Sequence, residues 1–226
     1  MSRAVVITGA AGALGQVVVA EFVSSGWEVV ALDRPGERLD ALGADPAVHP
    51  IAADLAHQDT VAVAFEQVDA VAAPAALVSL AGGFKPGSLA EVDEATVRSL
   101  WDTNFGSALW CAQAAGPRLA AAGGGAIVNV GSRTAREGKA PVAHGTAKAA
   151  VLRLTEILAL ELRPQKIRVN AVLPSVIDTA ANRTWMSESV VARAVPPSAI
   201  AKVIAFLCSD DAWPISGACI PVYGDS

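Results

Sequence analysis

The sequence contains few of the residues that build disulfide frameworks, metal centres or membrane spans. Only three cysteines occur in 226 residues, Cys111, Cys208 and Cys219, and no two of them form a Cys-x-x-Cys pair. An odd number at unrelated spacings favours small apolar core residues in a reducing compartment over disulfides or a zinc site. No uninterrupted apolar run approaches the roughly 18–20 residues that cross a bilayer. We therefore expect neither a bound metal nor a membrane partner.

Positive charge is also scarce. The chain has 17 Lys and Arg against 22 Asp and Glu, which gives a net charge of −5 and a pI of about 5.2. This balance argues against nucleic acid or an anionic membrane surface as the main partner. The first residues show no basic segment followed by an apolar stretch and a cleavage site, so we predict a cytoplasmic protein without a secretory signal.

Short apolar runs alternate with longer segments in which apolar residues recur at helical spacing. Strands are predicted at residues 3–8, 28–32, 48–52, 76–80, 126–130, 167–172 and 218–222, and helices at 13–25, 59–69, 92–122, 142–162 and 197–208. This alternation predicts βαβ units and a parallel sheet. We predict a single α/β domain over residues 1–226, a three-layer α/β/α sandwich whose doubly wound parallel sheet has about seven strands. The irregular stretch 174–197 is interpreted as an active-site lid.

A glycine-rich turn lies between the first predicted strand and the first predicted helix. Thr8 precedes Gly9, and Gly12 and Gly15 follow at the spacing of a dinucleotide-binding turn. Gly9 allows a tight turn, Gly12 lets the backbone approach a pyrophosphate, and Gly15 lets the helix pack close to the sheet. The helix N-terminus then offers free N–H groups and a positive dipole to phosphate. The strand before and the helix after make this signal more specific than three glycines alone.

Asp33 ends the second predicted strand, about where the ribose 2′-hydroxyl of such a dinucleotide would lie. A carboxylate there accepts hydrogen bonds from a free ribose diol and repels a 2′-phosphate, which favours NAD(H) over NADP(H). The adjacent Arg34 could serve that phosphate instead, so NADP(H) stays possible. The structural alternative is that Asp33 only caps a helix or turn ahead of Pro35 and Gly36.

Further motifs follow in order along the chain: Asp54-Leu55, Ser79-Leu80-Ala81-Gly82, Asn104, Ser132, Lys148 and the segment 174–179. Together with the glycine turn they make the chain similar to the short-chain dehydrogenase/reductase family along essentially its whole length. The resemblance implies a Rossmann-type fold and NAD(P)H-dependent reduction of a C=O, C=N or quinonoid group of a small molecule. It also implies cofactor contacts from Thr8, Gly9, Gly12, Leu14, Gly15, Asp33, Arg34, Asp54, Leu55, Ala81, Gly82, Lys148, Ile177 and Thr179.

The same resemblance implies roles for individual residues. Asn104 would support a water relay from the middle of a long helix, Ser132 would bond the substrate's reacting atom, and Lys148 would hold the nicotinamide ribose. The chain departs from the family pattern at Ala13, where the middle glycine usually stands, and at Ser175, which replaces a glycine. A narrower resemblance, to dihydropteridine reductase and its bacterial relatives, involves Ala81-Gly82-Gly83, residues 177–183 and Met186.

The most informative departure is a histidine in the place of the family's catalytic tyrosine. The family shows Tyr-x-x-x-Lys, and here His144 stands four residues before Lys148. The only tyrosine, Tyr223, is too near the C-terminus to align with that position. A spacing of four residues puts His144 and Lys148 on one helix face, so both side chains can reach the nicotinamide.

Histidine changes the chemistry of the site, because it must first be a cation to act as a good acid. A nearby Lys148 and an oxidised cofactor disfavour that cation, so we predict that the pKa of His144 falls below its ordinary value of about 6.5. Three interpretations stay open. The chain is a reductase whose substrate needs little acid help, a cofactor-binding protein with little turnover, or a non-redox acid–base enzyme such as a dehydratase or isomerase. A passive, half-exposed His144 would suit the second.

Other features have both functional and purely structural interpretations. Arg133, Arg136 and Lys139 are either receptors for an anionic substrate or solvated loop charges. Trp185 and Met186 either cover a planar substrate or pack against neighbouring residues. Alanines on helices 92–122 and 142–162, namely Ala112, Ala114, Ala115, Ala147, Ala149 and Ala150, permit close helix approach. They predict a homo-oligomer, a dimer or a tetramer, although such faces also suit packing within one chain.

Overall fold

The computed structural model describes residues 3–225, and its core is one sheet of seven parallel strands. The strands are β1 (Ala4–Thr8), β2 (Glu28–Asp33), β3 (Val48–Ala52), β4 (Pro74–Ser79), β5 (Gly125–Val130), β6 (Ile167–Pro174) and β7 (Cys219–Val222). Their order is β3-β2-β1-β4-β5-β6-β7, so the winding reverses between β1 and β4. The predicted doubly wound sheet is confirmed. Ligands bind at the carboxyl ends of the strands beside such a reversal.

Helices cover both faces of the sheet. They are α1 (Ala13–Ser24), α2 (Glu37–Leu42), α3 (Gln58–Val71), α4 (Glu94–Leu100), α5 (Ser107–Ala121), α6 (Val142–Glu161), α7 (Ala180–Arg183), α8 (Glu188–Val191) and α9 (Pro197–Cys208). α1 and α9 pack on the face that Val5 and Ile7 point to, whereas α3 and α5 pack on the face of Val6. Because both faces are buried, β1 is a continuous apolar run rather than an alternating one.

The predicted helix 92–122 is interrupted. A π-helical segment, Trp101–Gly106, separates α4 from α5. Within it, Asn104 Nδ2 donates a hydrogen bond to the Leu100 carbonyl at 2.9 Å. Side chains that bond the backbone of the preceding turn compete with regular helical hydrogen bonds, and short π-helical turns are frequent at functional sites. The prediction of a continuous helix was wrong here, and Asn104 lies on a widened turn.

The segment 174–197 is more regular than predicted, because β6 runs beyond its predicted end and α7 and α8 form two short helices. Thr179 Oγ1 accepts a hydrogen bond from Asn182 N at 3.2 Å and so caps α7. A parallel bridge between Ile177 and Val195 ties the two ends of the segment together. Its function as a lid stays a prediction.

The alanine-rich helix faces are used largely inside the chain. Ala112 and Ala115 of α5 and Ala147 of α6 are buried, and the first two belong to the core between the sheet, α3 and α5. The interpretation that these three alanines receive a neighbouring copy was therefore wrong. The chain's own sheet and helices already cover them.

The cysteines are mostly core residues, as predicted. Cys111 and Cys208 are fully buried, and burial raises the pKa of each thiol to about 12. Cys219 is only partly buried. Within residues 3–225, no helix combines the length and apolarity needed to cross a membrane. The same residues contain no group of three or more His, Cys, Asp or Glu placed to hold a metal ion.

Candidate active site

The turn between β1 and α1 brings three backbone segments unusually close together. Gly9 has a φ of +65°, and a Cβ atom built on it would lie 2.7 Å from the backbone nitrogen of Ala81. A Cβ on Gly15 would overlap the Gly9 carbonyl oxygen. Gly12 is the N-cap of α1 and supplies no side-chain capping bond. The N–H groups at this helix end therefore stay available to an anion, as the prediction requires.

Thr8 joins the glycine turn to the end of β4. Its buried Oγ1 accepts hydrogen bonds from the backbone nitrogens of Leu80 and Ala81, both at 3.1 Å. These two residues leave the sheet at β4, next to β1 across the reversal in strand order. Thr8 thus fixes the shape of the crevice floor, and its predicted contact with the cofactor stays a prediction.

Asp33 is oriented by two backbone bonds at the end of β2. Its Oδ2 accepts a hydrogen bond from Ala11 N at 2.9 Å, and its Oδ1 accepts one from Arg34 N at 2.7 Å. The first of these bonds fixes the carboxylate against the glycine turn. The N-cap of α2 is Gly36, so the alternative that Asp33 caps this helix is wrong. Each carboxylate oxygen has further acceptor capacity for a ribose hydroxyl.

A groove of about 590 Å³ runs along this edge of the sheet, within the size range of small-molecule sites. Eight predicted cofactor residues line it: Gly9, Gly12, Asp33, Arg34, Asp54, Leu55, Ala81 and Gly82. Asp54 Oδ1 accepts a hydrogen bond from Ala56 N at 3.1 Å, which orders the chain beside the groove. The groove therefore gathers predicted residues from the ends of β1, β2, β3 and β4.

Four other predicted cofactor residues have mainly structural contacts. Leu14 and Ile177 pack against the core on the α1 and α9 side, and Gly15 lies under the glycine turn. Thr179 uses its hydroxyl to cap α7. The predicted contacts of these residues with the cofactor stay predictions.

Asn104 connects the π-helical segment to the loop after β4. Its Nδ2 donates to the Gly83 carbonyl at 3.1 Å, and its Oδ1 accepts from Gly83 N at 3.3 Å. A Cβ on Gly82 would lie 2.7 Å from Asn104 Oδ1 and 3.4 Å from Lys148 Nζ. Three residues predicted from separate motifs therefore meet at one point, and the support of a water relay by Asn104 stays a prediction.

Lys148 is buried on the inward face of α6. Its Nζ donates a hydrogen bond to the Val130 carbonyl at 2.7 Å. Burial lowers the pKa of Lys148 to about 8, because a charged ammonium is disfavoured away from water. At pH 7 the ammonium form still predominates. The site thus holds one positive charge beside Gly82.

His144 lies one turn before Lys148 and is only 8% exposed. Burial, and secondly the charge of Lys148, lowers its pKa to about 4. The predicted fall in pKa is confirmed, but its larger cause is burial, which the sequence analysis did not consider. The alternative of a half-exposed histidine is wrong. At neutral pH the imidazole is uncharged and offers one donor and one acceptor.

Ser132 follows β5 and caps a short 3₁₀ turn. Its Oγ accepts a hydrogen bond from Thr134 N at 3.2 Å and lies 2.8 Å from Thr134 Oγ1. Ser132 therefore has a structural role as a turn residue. The hydroxyl keeps its hydrogen for a substrate whenever Thr134 acts as the donor. Its contact with substrate stays a prediction.

The loop charges have partners or face solvent. Arg133 pairs with Glu137 at 2.9 Å and lies over the Tyr223 ring at 5.1 Å. Arg136 and Lys139 are exposed, which fits solvated loop charges.

Near the segment 174–197, Trp185 is exposed and Met186 partly buried. The chain here is stiffened by an ion pair of Arg183 with Asp178, whose shortest distance is 2.5 Å. The covering of a substrate by Trp185 and Met186 stays a prediction.

The sequence analysis missed Phe84. Its ring meets the His144 ring edge to face, with centroids 5.0 Å apart and planes at 69°, and it lines the groove. The signal was its place directly after the Gly82-Gly83 motif. Proximity to a residue sixty positions later, however, cannot be obtained from local sequence.

Comparisons with known proteins match the chain along most of its length. The family model for short chain dehydrogenase matches residues 3–189. Galactitol 2-dehydrogenase (L-tagatose-forming) of Cereibacter sphaeroides is 32% identical, over 96% of this chain and 92% of that protein. Meso-2,3-butanediol dehydrogenase of Serratia marcescens is 32% identical, over 99% and 94%. The structure of ElxO with NADP bound superposes with a TM-score of 0.91 at 25% identity, covering 98% of this chain and 97% of that one.

Proposed function

The chain belongs to the short-chain dehydrogenase/reductase family, and we propose that it reduces the carbonyl group of a small hydroxylated molecule. The observation that carries this proposal is the position of Gly82. This residue lines the groove and also lies against Asn104 and Lys148, so one side of the groove adjoins two of the candidate catalytic residues. The family's nicotinamide cofactor, when bound, supplies the hydride. The Cβ-free glycine turn and the fixed Asp33 carboxylate fit its pyrophosphate and ribose.

The side chains of this chain then have separate roles. Ser132 Oγ donates a hydrogen bond to the carbonyl oxygen of the substrate and favours the negative charge that develops there. The Lys148 ammonium holds the ribose hydroxyls and keeps positive charge close to that oxygen. His144 is neutral, so it orients the substrate or passes a proton through water rather than acting as the main proton store.

The cofactor that we propose is NAD(H). The Asp33 carboxylate, held against the glycine turn by Ala11 N, would repel a 2′-phosphate and accept hydrogen bonds from a free ribose diol. Arg34 also lines the groove, and a structural neighbour binds NADP. NADP(H) is therefore the alternative that a direct comparison of affinities decides.

A carbonyl substrate agrees best with the relatives, which are named for their action on galactitol and on butanediol. A quinonoid dihydropterin or another imine is the alternative that the narrower sequence resemblance implies. A non-redox reaction would need an acid–base pair. Because His144 beside Lys148 is neutral and a poor proton donor, the site supports a non-redox reaction less well than carbonyl reduction. The likeness to these relatives favours a vicinal hydroxy ketone as the first substrate to test.

One observation favours a second candidate, a cofactor-binding protein with little turnover. The low pKa of His144, about 4, leaves the position of the usual phenol acid without a ready proton at pH 7. Such a protein would bind the cofactor without oxidising or reducing it. Binding would instead change which partners the protein contacts. The measured rate of reduction separates the two candidates.

The test is a fluorescence titration with NADH and NADPH, followed by absorbance assays of NADH oxidation with acetoin. The proposal predicts tighter binding of NADH and oxidation that depends on acetoin. Binding without oxidation of NADH by acetoin, xylulose or a cyclic imine would support the second candidate. Failure to bind either nucleotide would exclude both.

We also propose that the chain is a homo-oligomer, with α4 and α6 at the interface. Ile157 and Leu160 of α6, and Trp101 directly after α4, are exposed apolar side chains, and such faces are typical of subunit contacts. Light scattering of the purified protein tests this, with Leu160→Glu as the variant expected to dissociate. A monomer at micromolar concentration would contradict the proposal.

A further inference from the structure

The loop after β4 holds an exposed phenylalanine at the candidate catalytic residues. Phe84 is 64% exposed, although the backbone on both sides of it is fixed. Gly83 is bonded at both its N–H and its carbonyl by Asn104, and the Gly87 carbonyl accepts a hydrogen bond from Val142 N at 3.2 Å. A single exposed aromatic residue is ordinary, but this one lines the groove beside His144.

His144 supplies an independent observation at the same place. Its Nδ1 is buried and has no hydrogen-bond partner within residues 3–225, while the Phe84 ring covers one side of the imidazole. A buried nitrogen without a partner is unfavourable, and each instance in a native protein calls for an explanation. A ligand reaches this nitrogen only after a neighbouring side chain shifts, and Phe84, which is 64% exposed, is the ring contact that can shift and then pack on the ligand.

The hydrogen-bonding capacity and charge of Phe84 and His144 indicate which kind of ligand suits them. A neutral imidazole, with one donor and one acceptor, matches a hydroxyl group, which is also both donor and acceptor. A carboxylate would instead favour the cationic imidazole, which burial beside Lys148 disfavours. The electron-rich face of Phe84 attracts C–H groups and repels anions. The two side chains therefore suit a neutral, hydroxylated carbon chain.

Given the proposed function, on which this rests, we infer that Phe84 and His144 form the specificity site for the carbon next to the reacting carbonyl. The neighbouring hydroxyl of the substrate bonds His144 Nδ1, and the C–H face of the same carbon packs on Phe84. The reaction is reduction of an α-hydroxy ketone to a vicinal diol. The carbonyl carbon gains a hydride from the reduced nicotinamide nucleotide, which becomes oxidised, and the oxygen gains a proton from solvent.

The kinetic test compares acetoin with 2-butanone, which has the same carbon chain without the neighbouring hydroxyl. The parent protein should show a kcat/KM for acetoin at least about tenfold higher than for 2-butanone. In Phe84→Ala and His144→Phe this ratio should fall at least about fivefold, through a higher KM for acetoin. The matched control is Leu89→Ala, since Leu89 is 80% exposed on the same loop and is not among the groove residues. Its ratio and its NADH affinity should both stay within about twofold of the parent values.

A binding measurement makes the test independent of turnover. The chain has three histidines, so isotope-labelled histidine gives a simple NMR spectrum, and His144→Phe assigns the signal of interest. Adding butane-2,3-diol to the protein–NAD⁺ complex should shift the His144 nitrogen signals, whereas 2-butanol should not. Equal shifts with both alcohols, or a kinetic ratio near one in a protein that binds NADH, would overturn this inference alone. Absence of NADH binding would overturn the proposed function as well.

Discussion

Replacement of His144 by Tyr tests how the site obtains its proton. The pKa of His144 is lowered to about 4, so only about one imidazole in a thousand carries a proton at pH 7. A phenol with an ordinary pKa of about 10 keeps its proton throughout the neutral range. The Lys148 ammonium would also stabilise the phenolate left after proton transfer. Since general acids contribute about 10²–10⁴ in rate, we expect His144→Tyr to raise kcat for acetoin at least about tenfold.

The structure also indicates where the larger side chain would fit. The Phe84 ring centroid lies 5.0 Å from that of His144, so a phenol would displace Phe84 before it displaced the buried face of α6. Phe84 is exposed and can turn toward solvent. The variant should therefore fold normally, and its KM for acetoin should rise.

The assay follows NADH absorbance at saturating acetoin between about pH 5 and pH 9. If the histidine cation were the acid, the parent rate would rise about tenfold for each pH unit below 7. We expect instead a nearly flat rate below pH 7 and a decline above pH 8, where Lys148, with a pKa of about 8, loses its charge. In His144→Tyr the optimum should move to higher pH.

His144→Phe is the control that keeps an aromatic ring but removes its hydrogen-bonding atoms. Equal kcat in this variant and the parent would show that the imidazole gives no help in the reaction. A His144→Tyr protein that folds, binds NADH normally and is no faster than the parent would refute the reasoning about the acid. A steep rise of the parent rate toward pH 5 would refute it too.

Three further predictions concern stability and cofactor binding. The pKa of His144 falls from 6.5 unfolded to about 4 folded, so stability present above pH 6.5 is lost on acidification. Urea unfolding should show that the free energy of unfolding falls by about 2 kcal/mol between about pH 7 and pH 4.5, a loss that His144→Phe should lack. Equal losses in the variant and the parent would contradict burial of the neutral ring. Gly9 and Gly26 both have positive φ, but of these two only Gly9 would bring an added Cβ against other atoms. Gly9→Ala should therefore weaken NADH binding at least about tenfold, whereas the control Gly26→Ala should weaken it less than about twofold. Asp33→Ala should lower the ratio of the NADPH Kd to the NADH Kd at least about tenfold. An unchanged ratio in fluorescence titrations would show that residues other than Asp33 determine the preference for NADH.

The sequence by itself determined the features that depend on local pattern. Apolar runs alternating with helical periodicity specify a parallel sheet covered on both faces. The glycines of the turn specify a backbone approach that no side chain permits, and Gly9 and Gly15 both show it. The position of His144 four residues before Lys148, on the same helix face, is visible from spacing alone. Each of these features depends on residues that are close to each other in the sequence.

Tertiary structure decided what depends on residues far apart in the chain. Phe84 meets His144 only because the loop after β4 and the start of α6 converge at one edge of the sheet. The pKa of His144 is set chiefly by burial, and burial depends on every element packed around it. The π-helical turn exists where Asn104 can bond both Gly83 and its own preceding turn. Such contacts follow from the strand crossovers, whose geometry no local pattern encodes.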